Sequence, residues 1–140
     1  MAKTRIGANA IFSGPQLGLS IIGSHCYAFS GDVVASTSQQ TVLNFATGTG
    51  YIVATLTMTA PIKYTSGSIT NGQTRGYQLD FNNQTVGMFK LESQQENMPT
   101  MVEAQILIPP FTAVVLTCID NNSDALYSGT ANITGRVHNA

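Results

Sequence analysis

Ten consecutive residues, Tyr51 to Ala60, follow a period of two: Ile52, Ala54, Leu56, Met58 and Ala60 form one apolar set, with Tyr51, Val53 and three threonines, Thr55, Thr57 and Thr59, between them. A helix would spread this pattern around its surface. A strand, whose successive side chains point to opposite faces, collects it onto one side. Threonine suits the outer face, because its branched Cβ fits the pleat and its hydroxyl meets water. The same period returns in Met101–Ile108, where Val102, Ala104, Ile106 and Ile108 oppose Glu103 and Gln105. It returns again in Ala131–Val137 and in Tyr77–Phe81. Weaker strand patterns cover His25–Phe29, with a possible run on to Ser36, Thr41–Ala46 and Val86–Leu91. Phe111–Ile119 is apolar on both faces, as expected of a central strand or of one covered by a neighbouring subunit.

Turn-forming clusters separate these runs at intervals of roughly ten residues. They include Thr47-Gly48-Thr49-Gly50, Asn82-Asn83, Pro109-Pro110 and Asn121-Asn122-Ser123-Asp124. No long window carries a helical period. About eight short strands with such turns predict an all-β fold of two packed antiparallel sheets, with a jelly roll as first choice. An immunoglobulin-like sandwich is second, and the absence of Trp removes its usual signature. Residues 1–22 show no clean alternation and read as an extended N-terminal arm, leaving 23–140 as a single sandwich domain. The arm carries Ile6, Ile11, Phe12, Leu17 and Leu19 and is too apolar to lie in open water, so it should rest on its own sheet or on a neighbour.

Composition narrows the function. Only 9% of the residues are charged, where a typical soluble domain has roughly 25%. Neutral polar side chains replace them: 47 of 140 residues are Thr, Ser, Asn or Gln. Six basic against seven acidic residues leave no electrostatic footprint for nucleic acid. The longest apolar runs, such as Ile106-Leu107-Ile108, are far too short for a membrane helix. The stretch after Lys3 and Arg5 is broken by polar residues, Gly and Pro and does not read as a secretory signal. Synthesis in a cytoplasm is therefore expected, with Cys26 and Cys118 as buried thiols rather than a disulfide.

Each candidate for chemistry has a plainer explanation. Gly48-Thr49-Gly50 echoes a dinucleotide fingerprint, but a strand follows where that motif needs a helix. His25, His138, Cys26 and Cys118 have no metal-ligand spacing, and His25 and Cys26 point to opposite faces of one strand. There is no nucleophile elbow. Glu92, Glu96 and Glu103, and Asp120 with Asp124, read as solvated loop carboxylates. Asp120–Asp124 has oxygen ligands for calcium but lacks the Gly and the distal Glu of a calcium loop. The tyrosines at 27, 51, 64, 77 and 127 can serve a sugar platform, though tyrosines spanning core and water explain them as well. No catalytic residue, cofactor or metal is therefore expected. What remains is a surface with few charges, few Lys or Pro to blunt its strand edges, an apolar arm and a two-sided strand. Such a surface favours self-association or docking on a large partner.

Three segments carry a family resemblance. Leu43-Asn44-Phe45-Ala46-Thr47-Gly48-Thr49-Gly50-Tyr51-Ile52-Val53 is similar to an LxFxTGxGYIV stretch, Ile106-Leu107-Ile108-Pro109-Pro110-Phe111-Thr112 to xIIPPxT, and Ile133-Thr134-Gly135-Arg136-Val137 to a terminal LTGRVY. Together, over residues 25–138, they resemble small jelly-roll structural proteins of tailed-phage virions, of the head-decoration or cement type. His138 stands where that pattern has Tyr. The resemblance implies a non-enzymatic protein at the capsid surface, made in the host cytoplasm, that assembles as a homo-oligomer, most often a trimer, on a major capsid protein. It implies no nucleic-acid or membrane partner. On that reading the arm residues Ile6, Ile11, Phe12, Leu17 and Leu19, and the strand residues Phe111, Val115 and Ile119, make the assembly contacts. The alternatives are a phage tail or fibre β-domain that binds host glycans and a filament subunit joined by strand exchange.

Overall fold

The computed structural model describes residues 18–65, 68–70, 73–92 and 101–139. The arm positions Ile6, Ile11, Phe12 and Leu17 lie outside the described residues, as does Glu96. Thirteen strands and no helix make up the described part. Eight are the frame: β2 (His25–Phe29), β4 (Gln40–Ala46), β5 (Tyr51–Thr59), β8 (Thr74–Phe81), β9 (Gln84–Glu92), β10 (Met101–Ile108), β11 (Ala113–Asp120) and β13 (Ala131–His138). Five are short additions: β1 (Ser20–Ile22), β3 (Val33–Val34), β6 (Ile62–Thr65), β7 (Ser68–Thr70) and β12 (Tyr127–Gly129).

The pairing of the frame is that of a chain folded in half. The innermost hairpin joins β8 to β9, and outside it β5 pairs with β10, β4 with β11 and β2 with β13, all antiparallel. The hairpin turns at Asn82 and Asn83, with φ of 51° and 65°. That backbone suits the strand twist in a two-residue turn, and Asn tolerates it better than most residues. The folded ribbon then curls, bringing β13 beside β5 and β11 beside β8. The result is a five-stranded sheet, β1-β2-β13-β5-β10, and a four-stranded sheet, β4-β11-β8-β9. Counting only the frame strands, the orders are first-eighth-third-sixth and second-seventh-fourth-fifth, the jelly-roll arrangement of two Greek keys.

The predicted alternation defines the core. Ile52, Ala54, Leu56, Met58, Ala60, Ile108 and Ile133 from one sheet meet Val42, Leu43, Phe45, Leu79, Val114 and Leu116 from the other, and all are buried. At Gly135 the sheet leaves no room for a side chain: a Cβ there would stand 2.6 Å from the Ala54 Cα and closer still to the Val53 carbonyl. Cys26 and Cys118 are buried free thiols on different sheets.

The structure departs from the expected strands in three ways. The His25 run stops at Phe29, and a separate bridge follows at Val33–Val34. Residues 20–22, at the end of the expected arm, form β1 and pair with β2. Finally, β3, β12, β6 and β7 build a small third sheet that no sequence pattern announced.

Candidate functional site

The connections gather at the two ends of the sandwich. At one end three long crossovers, β2 to β4, β5 to β8 and β11 to β13, supply the strands of the small sheet. At the other end the connections are short: Thr47–Gly50, the Asn82–Asn83 turn and Pro109–Thr112.

A buried ion pair holds the crossover end. Arg75, the second residue of β8, is in phase with Tyr77 and Leu79, so its side chain points inward and is wholly buried. Its Nε donates to Asp120 Oδ1 at 2.6 Å and its Nη2 to Asp120 Oδ2 at 3.0 Å. Nη2 also donates to the Val33 carbonyl at 2.9 Å, and Nη1 to the Tyr77 hydroxyl at 3.3 Å. Asp120 Oδ2 accepts the Ser36 N–H at 2.9 Å, while the Tyr77 hydroxyl donates to the carbonyls of Thr59 and Thr130 at 2.9 and 3.3 Å. One guanidinium, one carboxylate and one phenol thus tie all three crossovers to the core. Asp120, expected in a solvated loop, is instead the last inward residue of β11, on the stripe of Val114, Leu116 and Cys118.

Electrostatics follow from this burial. Burial works against the Arg75 charge, yet the hydrogen bond to Asp120 and the neighbouring Tyr77 outweigh it and raise its pKa. Burial pushes the Tyr77 phenol up to about 12, opposed by Arg75. Both thiols are pushed up to about 11 by burial, with a backbone hydrogen bond from Gly135 acting the other way on Cys26 and the Arg75 charge on Cys118. Thiols so placed are weak nucleophiles. The oxygens of the loop weighed above against calcium binding are spent on the chain itself: Asn121 Oδ1 accepts from Thr74 N–H, Asn122 Oδ1 from Gln73 Nε2 and Asp124 N–H, and Asp124 Oδ1 from Leu126 N–H. Among the described residues no group of three or more His, Cys, Asp or Glu comes together.

The short-loop end is held by main-chain groups and by the side chains of Thr47 and Asn82. The Phe111 N–H donates to the Gly48 carbonyl at 2.8 Å, Thr47 N–H to the Thr112 carbonyl at 2.9 Å, and Thr112 N–H to Thr47 Oγ1 at 2.9 Å. Thr47 Oγ1 in turn donates to the Pro109 carbonyl at 2.8 Å, and Asn82 Oδ1 accepts the Ala113 N–H at 2.8 Å. At the tip Phe111 has φ of 54° and is 70% exposed. A bulky residue with that backbone angle is a strained outlier.

No family model matches the chain, and no curated protein matches it. Among solved structures it is similar to the crystal structure of the infectious bursal disease virus VP2 subviral particle, at 11% identity and a TM-score of 0.41, over 79% of this chain and 30% of that one. The chain spans less than a third of that protein's length.

The outer faces of the two sheets differ. The five-stranded sheet shows Thr55 and Thr57 on β5, Thr134 and Arg136 on β13, and His25, Tyr27 and Phe29 on β2. The Tyr27 and Phe29 rings lie 4.9 Å apart, and His138 stacks on Tyr51 at 5.0 Å. The four-stranded sheet carries an open groove of about 510 Å³ over Gly76, with Gln78, Met88, Lys90, Thr117 and Ile119 around it. Of the expected contact residues, Phe111 and Ile119 are exposed and Val115 is half-buried on that outer face. Leu19 is not available to a neighbour: it packs into its own core at 5% exposure. Sequence reasoning missed Arg75 and Gly76, the first holding the pin and the second opening the groove.

Proposed function

We propose that the chain is a non-enzymatic structural subunit of a virus particle, decorating or cementing a tailed-phage capsid lattice as a homo-oligomer, with the trimer as the first expectation. The observation that carries this reading is the surface. Twelve large apolar side chains are exposed among the described residues, from Ile22 on β1 to Leu126 before β12, on a chain with 9% charged residues. Water is a poor environment for such a surface, and a neighbouring subunit covers it without stripping many ions of solvent. The buried charges serve the fold, since Arg75 and Asp120 face each other and not a cleft. Residues 1–17 are assigned the role of a tie between neighbours, and the β11 flank with Val115 and Ile119 that of a subunit contact.

The test is reconstitution. Purified chain added to capsids that lack it should bind in a fixed number of copies per lattice site, seen by cryo-electron microscopy. A chain without residues 1–17 should bind with lower occupancy. Absence of binding by the full chain sinks the reading, and unchanged occupancy after truncation sinks the tie.

A second reading rests on the Tyr27–Phe29 pair, whose rings lie beside Thr134 and Arg136 on an open sheet face. An aromatic platform with hydrogen-bonding neighbours is a way to hold a sugar ring. A glycan-array signal that disappears in Tyr27→Ala would favour this reading over the capsid one.

A further inference from the structure

Phe111 and the groove over Gly76 are left unexplained by the fold. The Phe111 ring contributes nothing to the core, yet its backbone is held in a conformation that costs energy. Two prolines precede it, and hydrogen bonds from Phe111 N–H and Thr112 N–H fix the loop. An aromatic ring presented on a rigid loop loses little entropy when it docks. The groove arises because Gly76 stands between Ile119 and Lys90 in the register of the sheet and leaves the place between them empty. In the next row Thr117, Gln78 and Met88 face the same side, with Met88 74% exposed. Its volume falls in the range of pockets that enclose ligands, roughly 300–1,000 Å³, and it is ample for one phenyl ring.

We infer that these are the two halves of one contact: the Phe111 ring of one copy seats in the Gly76 groove of a second copy. The contact rests on the assembling role proposed above and names a surface for it. Both halves lie on the same chain, each exposed, and each supplies what the other lacks. Neither carries an unbalanced charge: the neighbours of Phe111 along the chain, Pro109, Pro110 and Thr112, are uncharged, and Lys90 at the groove is 3.4 Å from Glu92. No lone ion is therefore stripped of water on docking. Phe111 sits at the short-loop end, whereas Gly76 and Ile119 lie at the crossover ends of β8 and β11. Made once per pair of copies, the contact runs head to tail and builds a closed ring where the rotation closes and an open row where it does not; made twice across a two-fold axis, it joins an antiparallel pair.

Two variants and their mixture test this by sedimentation velocity. Phe111→Ala removes the knob. Gly76→Leu fills the socket, and the backbone accepts it because a Cβ there meets nothing nearer than 3.9 Å. Circular dichroism verifies that both remain folded. The wild-type chain should associate with concentration, and each variant alone at least about tenfold more weakly, as for a central aromatic contact. Mixed one to one, the knob of Gly76→Leu and the socket of Phe111→Ala remain, so the mixture should form heterodimers and stop there. If both variants associate like wild type, or the mixture gives no heterodimer, the contact is wrong while assembly by another surface stands. A wild-type chain that remains monomeric at about 1 mM also overturns the contact. Capsid reconstitution then judges the broader role separately.

Discussion

The two ends of this sandwich solve the same problem by different means. Each must tie together connections that cross from one sheet to the other. The crossover end does it with a side-chain pin, Arg75 against Asp120, reaching Val33, Ser36 and, through Tyr77, Thr59 and Thr130. The short-loop end does it without charges, by main-chain hydrogen bonds joining Thr47 to Thr112 and Gly48 to Phe111, completed by the short side chains of Thr47 and Asn82. The difference lies in what each end leaves over. Long crossovers bury their polar groups and need charges to satisfy them. Short loops satisfy themselves and leave a side chain such as Phe111 free to face outward.

The contrast breaks first at the pin. Asp120→Ala leaves a buried guanidinium without its carboxylate, and should cost about 3–5 kcal/mol of unfolding free energy in a denaturant titration. Hydrogen exchange should rise first around Val33, Ser36 and Thr130, while the Thr47 and Thr112 amides retain their protection. Replacing both partners by apolar residues, Arg75→Met with Asp120→Leu, should recover most of the loss. If the single variant is as stable as wild type, the pin does not hold that end.

Alkali attacks the same end next. The Tyr77 phenol ordinarily titrates near 10 and in the fold near 12, so the unfolded chain releases its proton first. Its contribution is whole below pH 10 and is lost as the pH rises through 12, by roughly 2–3 kcal/mol. The two thiols act in the same direction between about 9 and 11. Denaturation curves between pH 9 and 12 should show the decline, and Tyr77→Phe should flatten its upper part.

A smaller loss is expected at the other end. Thr47→Val removes the acceptor of the Thr112 N–H and the donor to the Pro109 carbonyl. It should cost about 1–2 kcal/mol, read by thermal unfolding, and raise exchange at Thr112 without reaching Ser36.

The sequence made the frame legible because its strands are long enough to show a period. All eight frame strands correspond to runs that read as strands, four of them by clear alternation, and Tyr51–Thr59 and Met101–Ile108 match their runs to within a residue. The small sheet was hidden because its strands have two to four residues, too few to alternate, and their pairing is set by where the crossovers land. The pin was half legible. Extending the Tyr77–Leu79 stripe back two residues reaches Arg75, and extending the Val114–Cys118 stripe on by two reaches Asp120. Two opposite charges in phase with two apolar stripes signal a buried pair, but an acid beside Asn121 and Asn122 reads more naturally as the start of a loop. Phe111 misleads in a related way. Its odd-numbered position puts it in phase with Ala113, Val115 and Ile119, so it looked like a strand residue, whereas Pro109 and Pro110 hold it in a turn before β11 begins.

Phe111 also offers the finest test of the contrast, because there stability and association are expected to move in opposite directions. Its φ of 54° is costly for a residue with a Cβ, and glycine adopts it freely. Phe111→Gly relieves that strain but adds freedom to the unfolded chain, so the net gain in monomer stability should be small, about 0.5–1 kcal/mol. The exposed ring contributes little to the fold, and its loss does not offset the gain. Thermal unfolding at low concentration should therefore show a slightly higher midpoint, while sedimentation shows weaker self-association. A residue kept merely as loop filler would raise stability in the same way but leave association unchanged, and one that packs on its own chain would lower stability. Higher stability with lost association is the signature of a side chain whose strained backbone is maintained for a neighbour.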